Sequence, residues 1–363
     1  MIKTPAWIQI ERRPSPSGWT VFAISVVAIL LALIVAGLFF QFYGVSALRA
    51  YGDIIKGAFG SRLGLTETVR RMIPLLVIGV GLTVAFRALF WNIGAEGQLL
   101  MGAVVASGIA LFSGLPDPLL IPAMFLGAFA AGALWGIGPA ILKAKLGIND
   151  VITTLMLNYV AIYVVHWLIL GPWKGPTMRG FPYTDKFPTA AFLPMLGGTR
   201  IHLPTLAIGL AGALVLYFVV KKTRVGFEIR VVGENPDAAK YAGISQTKIT
   251  VLAMVISGGL AGVAGVGEVA GVHHMLLNPS SIALSYGYTA IIVAWLARRN
   301  PLAVILTSFL FGVIMRGGDV IKISLGLPFQ LVNVFNGLIL FFLIGSEVLI
   351  RYRIRFGTVK ETS

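Results

Sequence analysis

Ten stretches of this chain are apolar for long enough to cross, or nearly cross, the hydrocarbon core of a bilayer. They lie near 20–42, 72–90, 98–113, 118–142, 152–170, 203–220, 249–272, 284–297, 302–315 and 328–350. Lipid offers no hydrogen bonds to a bare backbone, so such runs must close their own hydrogen bonds as helices. The pattern predicts an all-α polytopic membrane protein with about ten transmembrane helices. The run at 98–113 is short, and those at 284–297 and 302–315 are shorter still, which predicts tilted, broken or re-entrant spans. Composition excludes a water-soluble globule. Hydrophobic residues make up 57% of the chain and charged ones 12%, against about 25% charged in a soluble domain. The first run follows Lys3, Arg12 and Arg13, as a signal peptide would. Its apolar core of about twenty residues is longer than a cleaved segment of about 7–15, so it reads as an uncleaved span, with "VSA" at 45–47 as the alternative cleavage point.

A formal net charge of +15 on a soluble protein would suggest nucleic acid. Here it follows membrane topology. With both termini on one side, the segments 1–19, 143–151, 221–248, 298–301 and 351–363 carry 17 Lys and Arg, while 43–71, 171–202 and 316–327 carry 11. The richer side is assigned to the cytoplasm, and nucleic acid is not expected as a partner. No cysteine is present, so no thiolate ligand, thiol nucleophile or disulfide is available. The four histidines, His166, His202, His273 and His274, form no HExxH-type ligand pattern. No metal, cofactor or catalytic residue is expected. On the outer side, 171–202 is rich in Pro, Gly and aromatic residues, and either caps a pore, receives a soluble partner or simply connects two spans. Segment 43–71 carries Ile54, Ile55, Ala58 and Phe59 at the spacing of a short amphipathic helix.

The segment "KKTRVGFEIRVVGENPDAAKYAGISQTK", 221–248, lies between two spans and holds nine charged residues. A plain connector needs only a few residues. Asn235 is placed as an N-cap, Pro236 fits the first helical position and Asp237 sits at the positive end of the dipole. Gly243 is placed to stop the helix. The result is a short capped helix presenting Ala238, Ala239 and Ala242, whose small side chains let another backbone approach.

This loop, with its Gly-x-Asn-Pro, Ala-Ala and Ala-Gly-Ile pattern, resembles the coupling loop of ABC-importer permeases. "NIGAEGQLLMGA" at 92–103, "VITTLMLNYVA" at 151–161, "GLAGVAGVGEVAG" at 259–271 and "GYTAIIVAWLARRNP" at 287–301 extend the likeness. Together they resemble the ribose and nucleoside (simple-sugar) branch, in the same superfamily as branched-chain amino acid permeases. The likeness covers roughly 70–350, and the motifs are specific in combination. It implies a type II ABC-importer-like fold, with 1–363 as a single transmembrane permease domain and 221–248 as its cytoplasmic coupling loop. ATPase subunits would dock on Gly233, Glu234, Asn235, Pro236, Ala238, Ala239, Ala242 and Gly243. A second permease subunit, identical or homologous, and an extracytoplasmic solute-binding protein would complete the importer in a bacterial cell (inner) membrane. The cargo implied is a nucleoside or related purine or pyrimidine compound, with a ribose-like sugar as the alternative. No GxxxxGK[ST] sequence is present, so ATP hydrolysis belongs to separate subunits and the chain is not itself an enzyme.

Polar groups inside the spans are the candidates for a substrate pathway, because ionisable groups at membrane depth face protein or water. "FRALFWNIGAEGQ", 86–98, offers Phe86, Asn92, Glu96 and Gln98. It reads either as a broken helix beside the pathway or as a cytoplasmic turn whose Glu96 caps a helix or pairs with Arg87. Asn158, Asn333 and Asn336 read as pathway groups or as interhelical hydrogen bonds. Glu268 lies among glycines, with GxxxG spacing at Gly258–Gly262 and Gly267–Gly271. It either faces the pathway or pairs internally. As the main mid-membrane carboxylate, it also keeps open a stand-alone ion-coupled transporter or channel.

Overall fold

The structure, a computed structural model, describes residues 8–12, 17–178, 180–326 and 329–356. Among these, fourteen α-helices follow one another, and two compact units are formed: 58–316, and the two ends of the chain, Met1–Gly57 with Gly317–Ser363. Among the described residues, eight helical segments are long and apolar enough to cross a membrane, and a bent pair makes a possible ninth.

In the terminal unit, α1 (Gly18–Phe42) starts at Ser17, whose hydroxyl accepts from Thr20 N–H at 3.1 Å. It is followed by α2 (Ala47–Phe59) after a bend of 114° measured from Val26. Ala28, Ala32 and Ala36 form a buried stripe on α1, and Ile54 and Ala58 are the buried face of the amphipathic α2, with Ile55 and Phe59 exposed. The residues expected to form that helix therefore do so. The ends of the chain add an element that the apolar runs do not announce: β1 (Ile8–Arg12) pairs antiparallel with β2 (Tyr352–Phe356).

The central unit contains α3 (Arg62–Arg87), α4 (Ala95–Phe112), α5 (Asp117–Leu146), α6 (Asp150–Leu170) and α7 (Leu203–Lys222). The short α8 (Arg224–Glu234) and α9 (Pro236–Tyr241) come next. The long α10 (Gln246–Val266) continues through a π turn at Gly267–His273. Then α11 (Pro279–Ala283) and α12 (Tyr286–Leu296) make one broken span, and α13 (Pro301–Ser324) follows, its residues up to Arg316 in this unit. The last helix, α14 (Phe329–Arg351), belongs to the terminal unit, and the side chains of Asn333 and Asn336 on it lie outside the described residues.

At the centre α3 is buried almost throughout from Met72 to Phe86. Against it, α10 packs on α4 and α5 through a glycine seam. A Cβ on Gly132 would stand 2.1 Å from the Gly258 carbonyl oxygen, one on Gly262 2.1 Å from that of Ala128, and one on Gly102 2.2 Å from that of Gly262. Small residues let membrane helices touch backbone to backbone, as the Gly258–Gly262 spacing predicts. The second pair has a different neighbour: Gly267 and Gly271 make room for the His202 ring, at 2.9 Å and 2.8 Å from their would-be Cβ atoms.

Candidate functional site: a helix break and a capped elbow

Between Arg87 and Ala95 the chain leaves helical geometry, with Leu89 in the left-handed region. Three residues of α6, spaced by four, hold this break. Asp150 Oδ2 accepts from Trp91 N–H, Thr154 Oγ1 accepts from Ile93 N–H at 3.2 Å, and Asn158 Oδ1 accepts from Gly97 N–H at 2.8 Å. Lys143 in turn pairs with Asp150 at 2.7 Å. Asn92 and Gln98 exchange amide hydrogen bonds of 2.8 and 3.1 Å, and Asn92 Nδ2 also donates to Ser257 Oγ on α10 at 3.0 Å.

Glu96 shows why the break is there. Its carboxylate, buried at the N-terminal end of α4, accepts from Ser285 N–H at 3.1 Å and Gly287 N–H at 2.7 Å. Those donors open α12, so the positive ends of two half-helices converge on one carboxylate. The sequence left two local readings of Glu96, a helix cap and a pair with Arg87. It is a cap, but of another segment's helix. Arg87 instead donates from Nε to the Arg299 carbonyl at 2.8 Å.

The break begins at the end of its span that parity assigns to the cytoplasm: Lys143 Nζ donates to the Leu89 carbonyl, and Asp150, the first residue of α6, holds Trp91 N–H. Gln98 touches Gly258, whose added Cβ would lie 3.3 Å from its Cδ. Gly258 is twelve residues into α10, or about 18 Å along the axis at 1.5 Å per residue. From the Leu89 end the segment thus climbs along the first two turns of α6, and the Gln98 side chain on the first turn of α4 reaches toward the middle of the helical layer. Beside it Phe86, Trp91 and Trp295 cluster, with ring centroids 5.2 Å apart for Phe86–Trp91 and 4.9 Å for Trp91–Trp295.

At one end of the central unit, α8 and α9 form an elbow. Asn235 closes α8 and caps α9, its Oδ1 accepting from Asp237 N–H at 3.1 Å and Ala238 N–H at 3.0 Å. Gly243 ends α9 at φ +73°. These are the caps expected from the residues. The small residues divide, however. Ala238 and Ala242 are exposed with Tyr241, whereas Ala239 is fully buried. Gly233 meets the end of α3, where an added Cβ would stand 1.7 Å from the Arg87 carbonyl oxygen.

At the opposite end, Glu268 in the π turn is fully buried, and neither carboxylate oxygen has a hydrogen-bond partner among the described residues. His273 Nε2 lies 3.9 Å from it, and Arg70 pairs with Glu67 at 2.7 Å. His202, just ahead of α7, is buried with both ring nitrogens unbonded among the described residues. Burial, and then the charge of Arg70, push its pKa down to about 4, so its ring is neutral near pH 7. His274 stacks on Phe192 at 3.9 Å. The segment 171–202 closes over this end: Phe187 N–H donates to the His274 carbonyl at 2.9 Å and Leu193 N–H to that of Ala270 at 3.2 Å. Asn92, Glu96, Gln98 and Asn158 are thus brought together with Phe86 nearby, while Glu268 belongs to a separate cluster. Asp150, Thr154 and Tyr288 were not among the expected residues. The spacing of Asp150, Thr154 and Asn158 by four was the available signal.

Membrane-length helices, a glycine-packed centre and a broken pair of half-helices define a multi-span membrane transport subunit. Residues 64–344 match the family described as "Branched-chain amino acid transport system / permease component", and the chain belongs to it. It is similar to the glucose ABC transporter permease protein TsgB13 of Haloferax volcanii, 36% identical over 96% of this chain and 93% of that one. The guanosine ABC transporter permease protein NupP of Bacillus subtilis is 32% identical, over 93% and 96%. The nucleoside ABC transporter permease protein NupB of Lactococcus lactis is 31% identical, over 88% and 90%. The chain is a permease subunit and not an enzyme.

Proposed function

We propose that the chain carries nucleosides inward as the permease of an ATP-driven importer, with ATPase subunits bound to the α8–α9 elbow. The observation that carries the docking is the elbow itself, a doubly capped helix presenting Asp237, Ala238, Tyr241 and Ala242 outward. The same end of the unit gathers Lys143, Arg87 and Arg299, which supports placing it in the cytoplasm under the positive-inside rule. Both termini then lie in the cytoplasm, and the membrane is the cytoplasmic (inner) one. A second permease copy or homologue, and a binding protein received outside on 171–202, complete the assembly. Glu268 contributes a charge to the pathway near that outer end. The guanosine and nucleoside permeases among the relatives support the cargo. The glucose permease, the most identical of the three, supports a simple sugar as the second reading.

The elbow is tested in proteoliposomes holding permease, ATPase and binding protein. Ala242→Trp is expected to abolish cargo-stimulated ATP turnover with membrane insertion intact. Unchanged stimulation removes the docking assignment. Ala239, being buried, is not a clean site for that test. Uptake of labelled nucleosides against hexoses decides the cargo.

A further inference from the structure

Beside the break a strip of α12 is half-exposed, and its two ends differ chemically. Tyr288 and Trp295 are seven residues apart, so they share one face of α12 about 10 Å apart along its axis. At the Trp295 end the indole packs with Trp91, which is 38% exposed, over the buried Phe86. At the other end the Tyr288 phenol accepts a hydrogen bond of 3.0 Å from Asn158 Nδ2. The direction of that bond is settled by the rest of the amide. Asn158 Oδ1 already accepts from Gly97 N–H, so its nitrogen must face Tyr288. The phenol oxygen is thereby used as an acceptor, and its own O–H has no acceptor among the described residues. It is left to donate outward, at the depth where two half-helices meet over Glu96.

We propose that this strip is the cargo contact of the permease: the nucleobase stacks on the Trp91–Trp295 aromatic surface, and the ribose hydroxyls receive the Tyr288 O–H. This rests on the nucleoside reading above. A flat aromatic surface is sequence-tolerant toward bases, while a fixed hydroxyl donor discriminates by the presence of a hydroxyl on the cargo. One strip thus accepts many bases and requires the sugar. Glu96 and Asn158 do not touch cargo. They are positioning residues that hold α12 and the phenol in register.

The test uses the complete importer in proteoliposomes. Photolysis of 8-azidoguanosine during turnover is expected to label Trp91, Tyr288 or Trp295. Separately, the wild type should take up guanosine roughly tenfold or more faster than 2′,3′-dideoxyguanosine when the binding protein is saturated with each. Tyr288→Phe should bring that ratio close to one, with thermal stability lowered only slightly because Asn158 Nδ2 keeps the Ile93 carbonyl. Trp91→Ala should slow nucleoside uptake roughly tenfold, and Trp91→Phe should restore most of it. Label confined to other segments, or a wild-type hydroxyl preference in Tyr288→Phe, overturns the inference. A wild-type importer that takes up hexoses and no nucleoside overturns the cargo reading instead.

Discussion

Asn158 shows how one side chain can settle three segments. It holds the α3–α4 break through Gly97 N–H and the Ile93 carbonyl, and α12 through Tyr288. Asn158→Leu keeps the volume and strands a buried donor and a buried acceptor. Each should cost about 1–3 kcal/mol. Thermal unfolding in detergent should show a loss of several degrees; wild-type stability would mean that the break does not depend on this amide. Glu268 is the contrasting case, since among the described residues its buried carboxylate has no hydrogen-bonded partner to strand. Glu268→Gln should leave stability within about 1 kcal/mol of wild type, or raise it, while uptake falls. A loss of several kcal/mol, the mark of a broken buried ion pair, would retire the proposed pathway role. His202 and Glu268 sit in one tight region, where the His202 ring fills the space left by Gly267 and Gly271. His202→Ala therefore removes packing as well as polarity.

The helices sort by what their glycines face. Gly132→Val places a branched side chain against the Gly258 backbone, where nothing flexible can yield. It should destabilise by about 3 kcal/mol or more. Gly212→Ala on α7 is its control: the new methyl meets only Val80 Cγ1 at 3.7 Å. That variant should gain up to about 1 kcal/mol of helix propensity. Equal melting temperatures for the two variants would dissolve the distinction. The apolar runs and caps made most of this level legible from residues alone. Hydrophobic length marks a span, and Asn235 followed by Pro236 marks a helix start, whatever the neighbours. Depth was legible only in part, and orientation was not. Parity places 88–94 at one end of the helical layer, and Leu89 and Trp91 do lie there, but run length does not say how far the irregular segment then climbs toward Gln98. Ala239 turned inward and Ala238 outward for a similar reason: six residues of helix have two faces, and only tertiary contacts choose between them. The π turn likewise needs the His202 ring to explain why Gly267 and Gly271 face a loop residue.

For the whole molecule, the elbow is tied to the core through the end of α3. Gly233 lies on the Arg87 carbonyl, and Arg87 reaches Arg299. A push on α8 therefore bears on α3, the most buried span. Gly233→Val should lift the elbow from α3 and lower cargo-stimulated ATP turnover at least severalfold, with ATPase binding retained in pull-down. Full stimulation in that variant would place the transmission elsewhere. The same framework has a consequence for biosynthesis. The amides of Trp91, Ile93 and Gly97 find their acceptors 59, 61 and 61 residues further along the chain. When α4 leaves the ribosome, those donors have no protein partner, and bare lipid cannot supply one. The α3–α4 hairpin must therefore wait in a wet or chaperoned setting until α6 is made. The order of synthesis thus creates an interval in which the insertion machinery must keep the unfinished chain out of the lipid.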